Sequence, residues 1–184
     1  MKRTSPAMVA VLLCISTSFA AGQAQAQQAG ASSASAQLDN FVGDGICTGT
    51  MPAMDKTPAH ASSGKYHGEK TFDGHWAVVH YDEDRSAGIT NPFSVAQYIG
   101  YDAAKKRFVA VQFDNTGGSY GTGVSSGWKG KTITFDETIQ MDGKSMQARD
   151  VFTSGEAGMS THSGMLRDAS GKWTTMDKET CHKP

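Results

Sequence analysis

Turn-forming residues interrupt this 184-residue chain about every ten residues from position 42 onward. Glycines, Asp-Gly pairs and Asn/Asp clusters supply these interruptions, and 21 of the residues are glycine. Such spacing is typical of a β-sandwich or a β-barrel, and it disfavours alternating helices and strands. The sequence therefore predicts an all-β, antiparallel meander barrel of about 8–10 strands. An open two-sheet sandwich is the alternative.

The clearest predicted hairpin pairs residues 93–101 with residues 107–113. Gln97 shares one face of the first strand with the apolar residues Val95 and Ile99, because strand side chains alternate between two faces. The connector between the two strands has the length of a hairpin loop. The other predicted strands are 45–51, 64–73, 75–82, 118–126, 131–136, 146–154, 158–167 and 172–181.

Two segments break the strand pattern. Residues 36–42 predict a short N-terminal helical turn that packs Leu38 and Phe41 against the body and ends at Gly43. Residues 52–63 show no periodicity and predict an irregular loop.

The first residues of the chain resemble an export signal. Lys2 and Arg3 precede an apolar stretch over 7–15, and Ala24-Gln25-Ala26 fits a small-x-small cleavage pattern. We therefore expect a signal peptide over 1–26, a flexible Gln/Ala/Ser/Gly leader over 27–37 and one barrel domain over 38–184. The predicted location is the periplasm, or the outside of the cell.

The predicted pairing of the cysteines follows from this division of the chain. Cys14 leaves with the signal, so Cys47 and Cys181 remain at opposite ends of the folded region. In an oxidising compartment these two residues predict a disulfide, which requires their Cα atoms to lie within about 7 Å of each other. The first and last strands must then be neighbours, as they are in a closed barrel.

Charge and composition exclude several classes of partner. Removal of Lys2 and Arg3 takes the net charge from −1 to −3, and no basic run is present to bind nucleic acid. No apolar run reaches the roughly 18 residues of a membrane-spanning helix. No motif predicts a cofactor, and nothing in the sequence indicates the oligomeric state.

Three segments in the middle of the chain carry a family resemblance. These are Tyr98-Ile99-Gly100-Tyr101-Asp102-Ala103-Ala104-Lys105-Lys106-Arg107-Phe108, Phe113-Asp114-Asn115-Thr116-Gly117-Gly118 and Gly127-Trp128-Lys129-Gly130-Lys131-Thr132-Ile133. With them the chain resembles the domain-of-unknown-function family 1579 over roughly residues 36–181. The resemblance implies a lipocalin-like barrel that is often exported in bacteria, and no activity. Cys47-Thr48-Gly49-Thr50 stands where a Gly-x-Trp-x-Gly-like entry is expected.

Polar residues on otherwise apolar faces are the best candidates for ligand contacts, since such groups orient a small molecule inside a barrel. Gln97 lies among apolar neighbours, His80 shares the parity of Trp76, and His162 is flanked by small residues. The sequence thus favours a barrel that binds a small, partly apolar ligand through Trp76, His80, Gln97 and His162, or a non-enzymatic accessory protein. A filled interior with satisfied polar groups is the competing interpretation.

A periplasmic metal-binding module is the second hypothesis. Met51, Met54, His60 and His67 lie in or beside the irregular segment, and thioether with imidazole ligands suits copper. An enzyme is the third hypothesis, because His80 and Asp82 lie two residues apart and share a strand face. No serine elbow or other recognisable catalytic set accompanies that pair.

Overall fold

Ten antiparallel strands follow one another and close into a barrel in the computed structural model, which describes residues 33–53, 58–85, 89, 91–141, 143–156 and 158–184. The strands are β1 Gly43–Met51, β2 His60–Thr71, β3 Trp76–Glu83, β4 Ser94–Asp102, β5 Arg107–Asp114, β6 Tyr120–Ser125, β7 Thr132–Met141, β8 Lys144–Ser154, β9 Met159–Arg167 and β10 Trp173–His182. Each pairs with its neighbour in sequence, and β1 also pairs with β10. The predicted meander barrel is confirmed, and closure excludes the open sandwich.

Local turn chemistry places the strand ends. Gly143 and Gly171 have φ values of 71° and 87°, which glycine adopts without steric cost. In the turn between β9 and β10, the Asp168 carboxylate accepts hydrogen bonds from the backbone N–H groups of Ser170 and Lys172. The hydrogen bond from the Ser170 side chain lowers the pKa of Asp168 most, and the backbone bonds lower it further. The turns thus follow from the residues that occupy them.

Strand β2 begins earlier than predicted. The expected loop over 52–63 is wrong at its end, because residues 60–63 already pair with β1, with His60 opposite Met51 and Ser62 opposite Gly49. This stretch does not show the alternating apolar pattern of a strand, because its inward positions carry polar residues. Met54 lies outside the described residues.

The disulfide closes the barrel at its seam. Cys47 on β1 and Cys181 on β10 are direct register partners, bonded through sulfur with a Cα–Cα distance of 3.9 Å. The predicted disulfide is therefore confirmed. A cross-link over 134 residues removes chain entropy from the unfolded state, worth about 5 kcal/mol at most.

A short helix covers one end of the barrel. An α-helical turn over 33–37 leads directly into a 3₁₀ helix, Leu38–Phe41. Ala34 is buried, so the helix begins within the segment expected to be a leader. The Tyr66 hydroxyl donates a hydrogen bond to the Phe41 carbonyl and fixes the helix to β2. No helix in the described part of the chain is long and apolar enough to cross a bilayer.

The interior divides into two halves along the barrel axis. The apolar half lies next to the helix, and its largest fully buried side chains are Leu38, Ile99, Phe108, Ile133 and Phe135. The polar half lies beyond it. Its inward positions carry acids, amides and a histidine beside a smaller apolar cluster of Cys47, Met51, Tyr81 and Cys181, and its polar groups form the candidate site described next.

Candidate functional site

Four strands, β4, β5, β7 and β8, each change from an apolar to a polar residue at successive inward positions. The inward pairs are Ile99 then Gln97, Ala110 then Gln112, Phe135 then Glu137, and Phe152 then Asp150. Three further side chains complete the group from β9 and β10. We call the whole set the interior cluster: Gln97, Gln112, Glu137, Asp150, His162, Asp177 and Glu179.

His162 lies at the centre of the cluster. Its Nδ1 is 3.0 Å from Asp177 Oδ2, and its Nε2 is 3.5 Å from Asp150 Oδ1. The imidazole packs on the Phe152 ring, with ring centroids 4.7 Å apart. The ring is thus fixed by carboxylates on both nitrogens and by an aromatic face from the neighbouring strand.

Gln97 links two acids on the other side of the cluster. Its Nε2 donates to Asp150 Oδ2 at 3.1 Å and more weakly to Glu137 Oε1 at 3.4 Å. Gln112 Nε2 donates to the second oxygen of Glu137 at 3.0 Å. The two amides therefore donate hydrogen bonds to both oxygens of Glu137. Asp150 then connects Gln97 to His162.

Glu179 lies directly opposite His162 in the β9–β10 register. Ser62 Oγ donates to Glu179 Oε1 at 3.4 Å. The buried Tyr81 hydroxyl lies beside the same carboxylate, yet it meets no hydrogen-bond partner in proper geometry within the described residues. An unsatisfied buried hydroxyl costs free energy, so the Tyr81 hydroxyl belongs to the description of this corner of the cluster.

Glycines on adjacent strands make room for the acids. Gly164 lies opposite both Asp150 and Asp177, and a Cβ at Gly164 would collide with the Asp177 carboxylate. Gly123 lies opposite Glu137, where a Cβ would come within 2.6 Å of its side chain. The two glycines therefore leave the space that the large acidic side chains occupy in the barrel interior.

The protonation states of the cluster are strongly perturbed. Burial and then the charge of Asp150 raise the pKa of Glu137 to about 9. Burial lowers the pKa of His162, but its contacts with Asp150 and Asp177 outweigh this and raise that pKa well above its ordinary value. Burial also raises the pKa of Glu179, whereas the His162 contact overcomes burial and lowers the pKa of Asp177. Such perturbed groups in one place indicate a functional site.

Solvent reaches the cluster, and its charge is not balanced by strong bases. His162 keeps 25% of its side-chain surface exposed and Asp177 keeps 20%, although both point into the barrel. Lysine and arginine ion pairs within the described ranges go to other acids: Lys70–Asp39, Lys105–Asp102, Lys131–Glu156 and Arg149–Asp136. In that part of the chain, His162 is thus the basic side chain that pairs with the cluster.

The structure separates the four predicted ligand contacts. Gln97 and His162 both reach Asp150 inside the barrel. Trp76 packs over Gly100 and lines a pocket of about 80 Å³ beside the N-terminal helix. His80 is exposed on the outer wall. Binding by all four to one molecule would require groups on two sides of the sheet, whereas Gln97 and His162 belong to one site.

The residues of the copper hypothesis are also separated. Met51 and His60 face each other inside the barrel rim, where His60 Nε2 lies 2.6 Å from Glu83 Oε1. His67 is exposed on the outer wall and pairs with Asp44 at 2.7 Å. The candidate enzymatic pair, His80 and Asp82, likewise faces solvent on the outer wall.

A second pocket lies at the helix end of the barrel, away from the interior cluster. Its volume is about 230 Å³, and it opens between the helix and the ends of β1 and β10, next to Tyr66 and Cys181. None of the cluster residues lines either pocket. The ionisable groups of the interior cluster and the two pockets therefore occupy different parts of the molecule.

Sequence reasoning missed the acids of the cluster. Glu137 continues the inward alternation of Ile133 and Phe135, so the criterion that selected Gln97 would also have selected it. Asp177 gives no such signal, because a bulge between Thr175 and Asp177 shifts the register of β10. Its approach to His162 depends on that bulge and on strand pairing.

A family model described as protein of unknown function, DUF1579, matches residues 31–183. A search of curated proteins finds no match.

Proposed function

The chain belongs to the DUF1579 family, whose function is unknown, and we propose from its geometry that it is a binding protein for a small cation held by the interior cluster. The carrying observation is the convergence of three carboxyl groups on one histidine: Asp150 and Asp177 pair with His162, and a Glu179 oxygen lies within 4.8 Å of it. Burying several acids costs free energy unless a partner compensates them. A bound cation supplies that compensation, and the cluster has no lysine or arginine to do so in the described part of the chain.

Binding is favoured over catalysis by what surrounds His162. Its polar contacts in the described residues are the two carboxylates, with no serine, threonine or cysteine in position as a nucleophile. Phe152 supplies an apolar surface against the imidazole. This arrangement suits a ligand that carries positive charge and tolerates an apolar wall.

Export to an oxidising compartment is part of the proposal. The Cys47–Cys181 disulfide supports it, because such bonds persist outside the reducing cytosol. The mass of the protein recovered from the periplasm of an expressing bacterium tests it. We expect loss of residues 1–26; a full-length chain confined to the cytosol would contradict export.

Titration calorimetry with three probes tests the binding function: zinc chloride, hexylammonium and hexanoate. Hexylammonium and hexanoate share a chain and differ in the sign of their charge. We expect at least one of the two cations to bind with 1:1 stoichiometry and hexanoate not to bind. Failure of both cations, or equal binding of hexanoate, would overturn the proposal.

A pair of matched variants localises the binding. Glu179→Gln removes one interior carboxylate while preserving its shape, whereas Asp136→Asn removes a carboxylate from the outer wall. The first should weaken cation binding about tenfold or more, as loss of a close charge partner does. The second should leave it unchanged. Equal effects of the two would place the bound cation outside the cluster.

A further inference from the structure

We propose that one corner of the interior cluster is a site for a divalent transition metal ion of the zinc type, with four donors: His162, Asp177, Glu179 and Tyr81. The inference rests on the proposed function and names the cation. One ligand atom from each of the first three residues lies within 4.8 Å of the other two. His162 Nδ1 and Asp177 Oδ2, at 3.0 Å, are already close to the spacing of two donors on one zinc ion.

The donor types select the class of ion. Calcium and magnesium prefer sites made of oxygen alone, whereas imidazole favours zinc and its first-row neighbours. One imidazole nitrogen with two carboxylates is a ligand set that such ions accept. On binding, the ion replaces the hydrogen between His162 Nδ1 and Asp177, and the displaced proton leaves to solvent.

The Tyr81 hydroxyl is the second, independent observation. Tyr81 is 7% exposed, and its oxygen has no hydrogen-bond partner among the residues that the structure describes. The ring crosses Gly64 on β2, where a Cβ would come within 2.7 Å of it. The phenol therefore reaches the Glu179 side of the cluster, where its oxygen provides a fourth ligand as the phenol proton leaves to solvent.

The surrounding contacts match the support that metal ligands need. A ligating histidine usually gives its other ring nitrogen to a carboxylate, which fixes the ring. Here Asp150 Oδ1 lies 3.5 Å from His162 Nε2 and is itself held by Gln97 at 3.1 Å. The backbone N–H of Gly164 donates to Asp177 at 3.3 Å. The proposed ligands are thus held in place before the ion arrives.

Zinc titration of the full disulfide-bonded protein tests the site. We expect one ion per chain with a Kd of about 1 μM or tighter, and calcium binding at least about tenfold weaker. His162→Gln should weaken zinc about 100-fold, and Tyr81→Phe, which removes one oxygen only, about tenfold. His67→Gln is the matched control, since His67 also pairs with a carboxylate but lies on the outer wall.

Cobalt(II) gives a second readout, and its spectrum in the wild-type protein does not depend on the folding of a variant. Bound to the wild-type protein with a nitrogen and three oxygen ligands, it should show the visible absorption of a low-coordinate site, and Tyr81→Phe should alter that spectrum. No zinc binding by the wild type, or the same zinc affinity in His162→Gln, would overturn the metal site. If hexylammonium binds and zinc does not, the metal site is wrong and the binding function stands. If neither binds, both fail.

Discussion

The two halves of the barrel interior are built on the same strands and differ in what they bury. On β7, Phe135 is fully buried in the apolar half, and Glu137, two residues later, is 2% exposed in the polar half. Alternation alone orients both side chains inward. Burial therefore has opposite energetic effects in the two halves, because apolar contacts stabilise the fold whereas buried acids cost free energy unless a partner compensates them.

The largest expected effect comes from the apolar half. Phe135→Ala removes a fully buried ring that packs against Phe152. Loss of such a ring together with the cavity it leaves should lower the free energy of unfolding by about 3–5 kcal/mol. Urea denaturation monitored by tryptophan fluorescence measures the change. A loss below about 1 kcal/mol would show that the apolar half does not carry the stability.

Glu137→Gln should change the free energy of unfolding in the opposite direction, towards greater stability. The folded protein keeps the proton on Glu137 up to its pKa of about 9, whereas the unfolded chain releases it near 4.5. Wild-type stability therefore falls as pH rises between these values, and the amide, which cannot ionise, avoids the loss. We expect the variant to be more stable by about 2 kcal/mol at pH 8.

Urea midpoints at pH 5, 6.5 and 8 measure this difference. The urea midpoints of the two proteins should be nearly equal at pH 5, and the difference between them should grow as the pH rises. If Glu137→Gln instead lowered the free energy of unfolding by the same amount at all three pH values, Glu137 would be ionised and paired in the folded protein. That result would contradict its raised pKa.

The smallest effect is expected at the rim of the polar half. The Pro58 carbonyl and Glu83 raise the pKa of His60 above its ordinary value. A raised pKa stabilises the fold below the unfolded value of 6.5, and that contribution disappears as pH rises through the folded value. His60→Gln should therefore cost about 1 kcal/mol at pH 6 and almost nothing at pH 9. Thermal denaturation at both pH values checks this, and an equal cost at both would refute it.

Much of the architecture is readable in the chain because its signals are local. The hairpin predicted over 93–113 matches β4 and β5 to within one residue at each end. The start of β2 was missed, since the stretch from His60 to Ser63 has no apolar residue at its inward positions. Of the cluster, Gln97 and His162 were identified as polar residues in apolar or small surroundings. Glu137 meets the same criterion and was overlooked, whereas Asp177 gives no such signal because it follows the bulge in β10.

The sequence by itself determined the strands, the turns and the bond between Cys47 and Cys181. Turn residues and a two-residue period act within a few positions, and the two cysteines that lie outside the predicted signal allow one pairing. Only the tertiary structure decided which face of each strand points inward and which groups meet there. A shift of one residue in pairing exchanges the two faces of a strand, so Asp177 reaches His162 only through the bulge and register of β10.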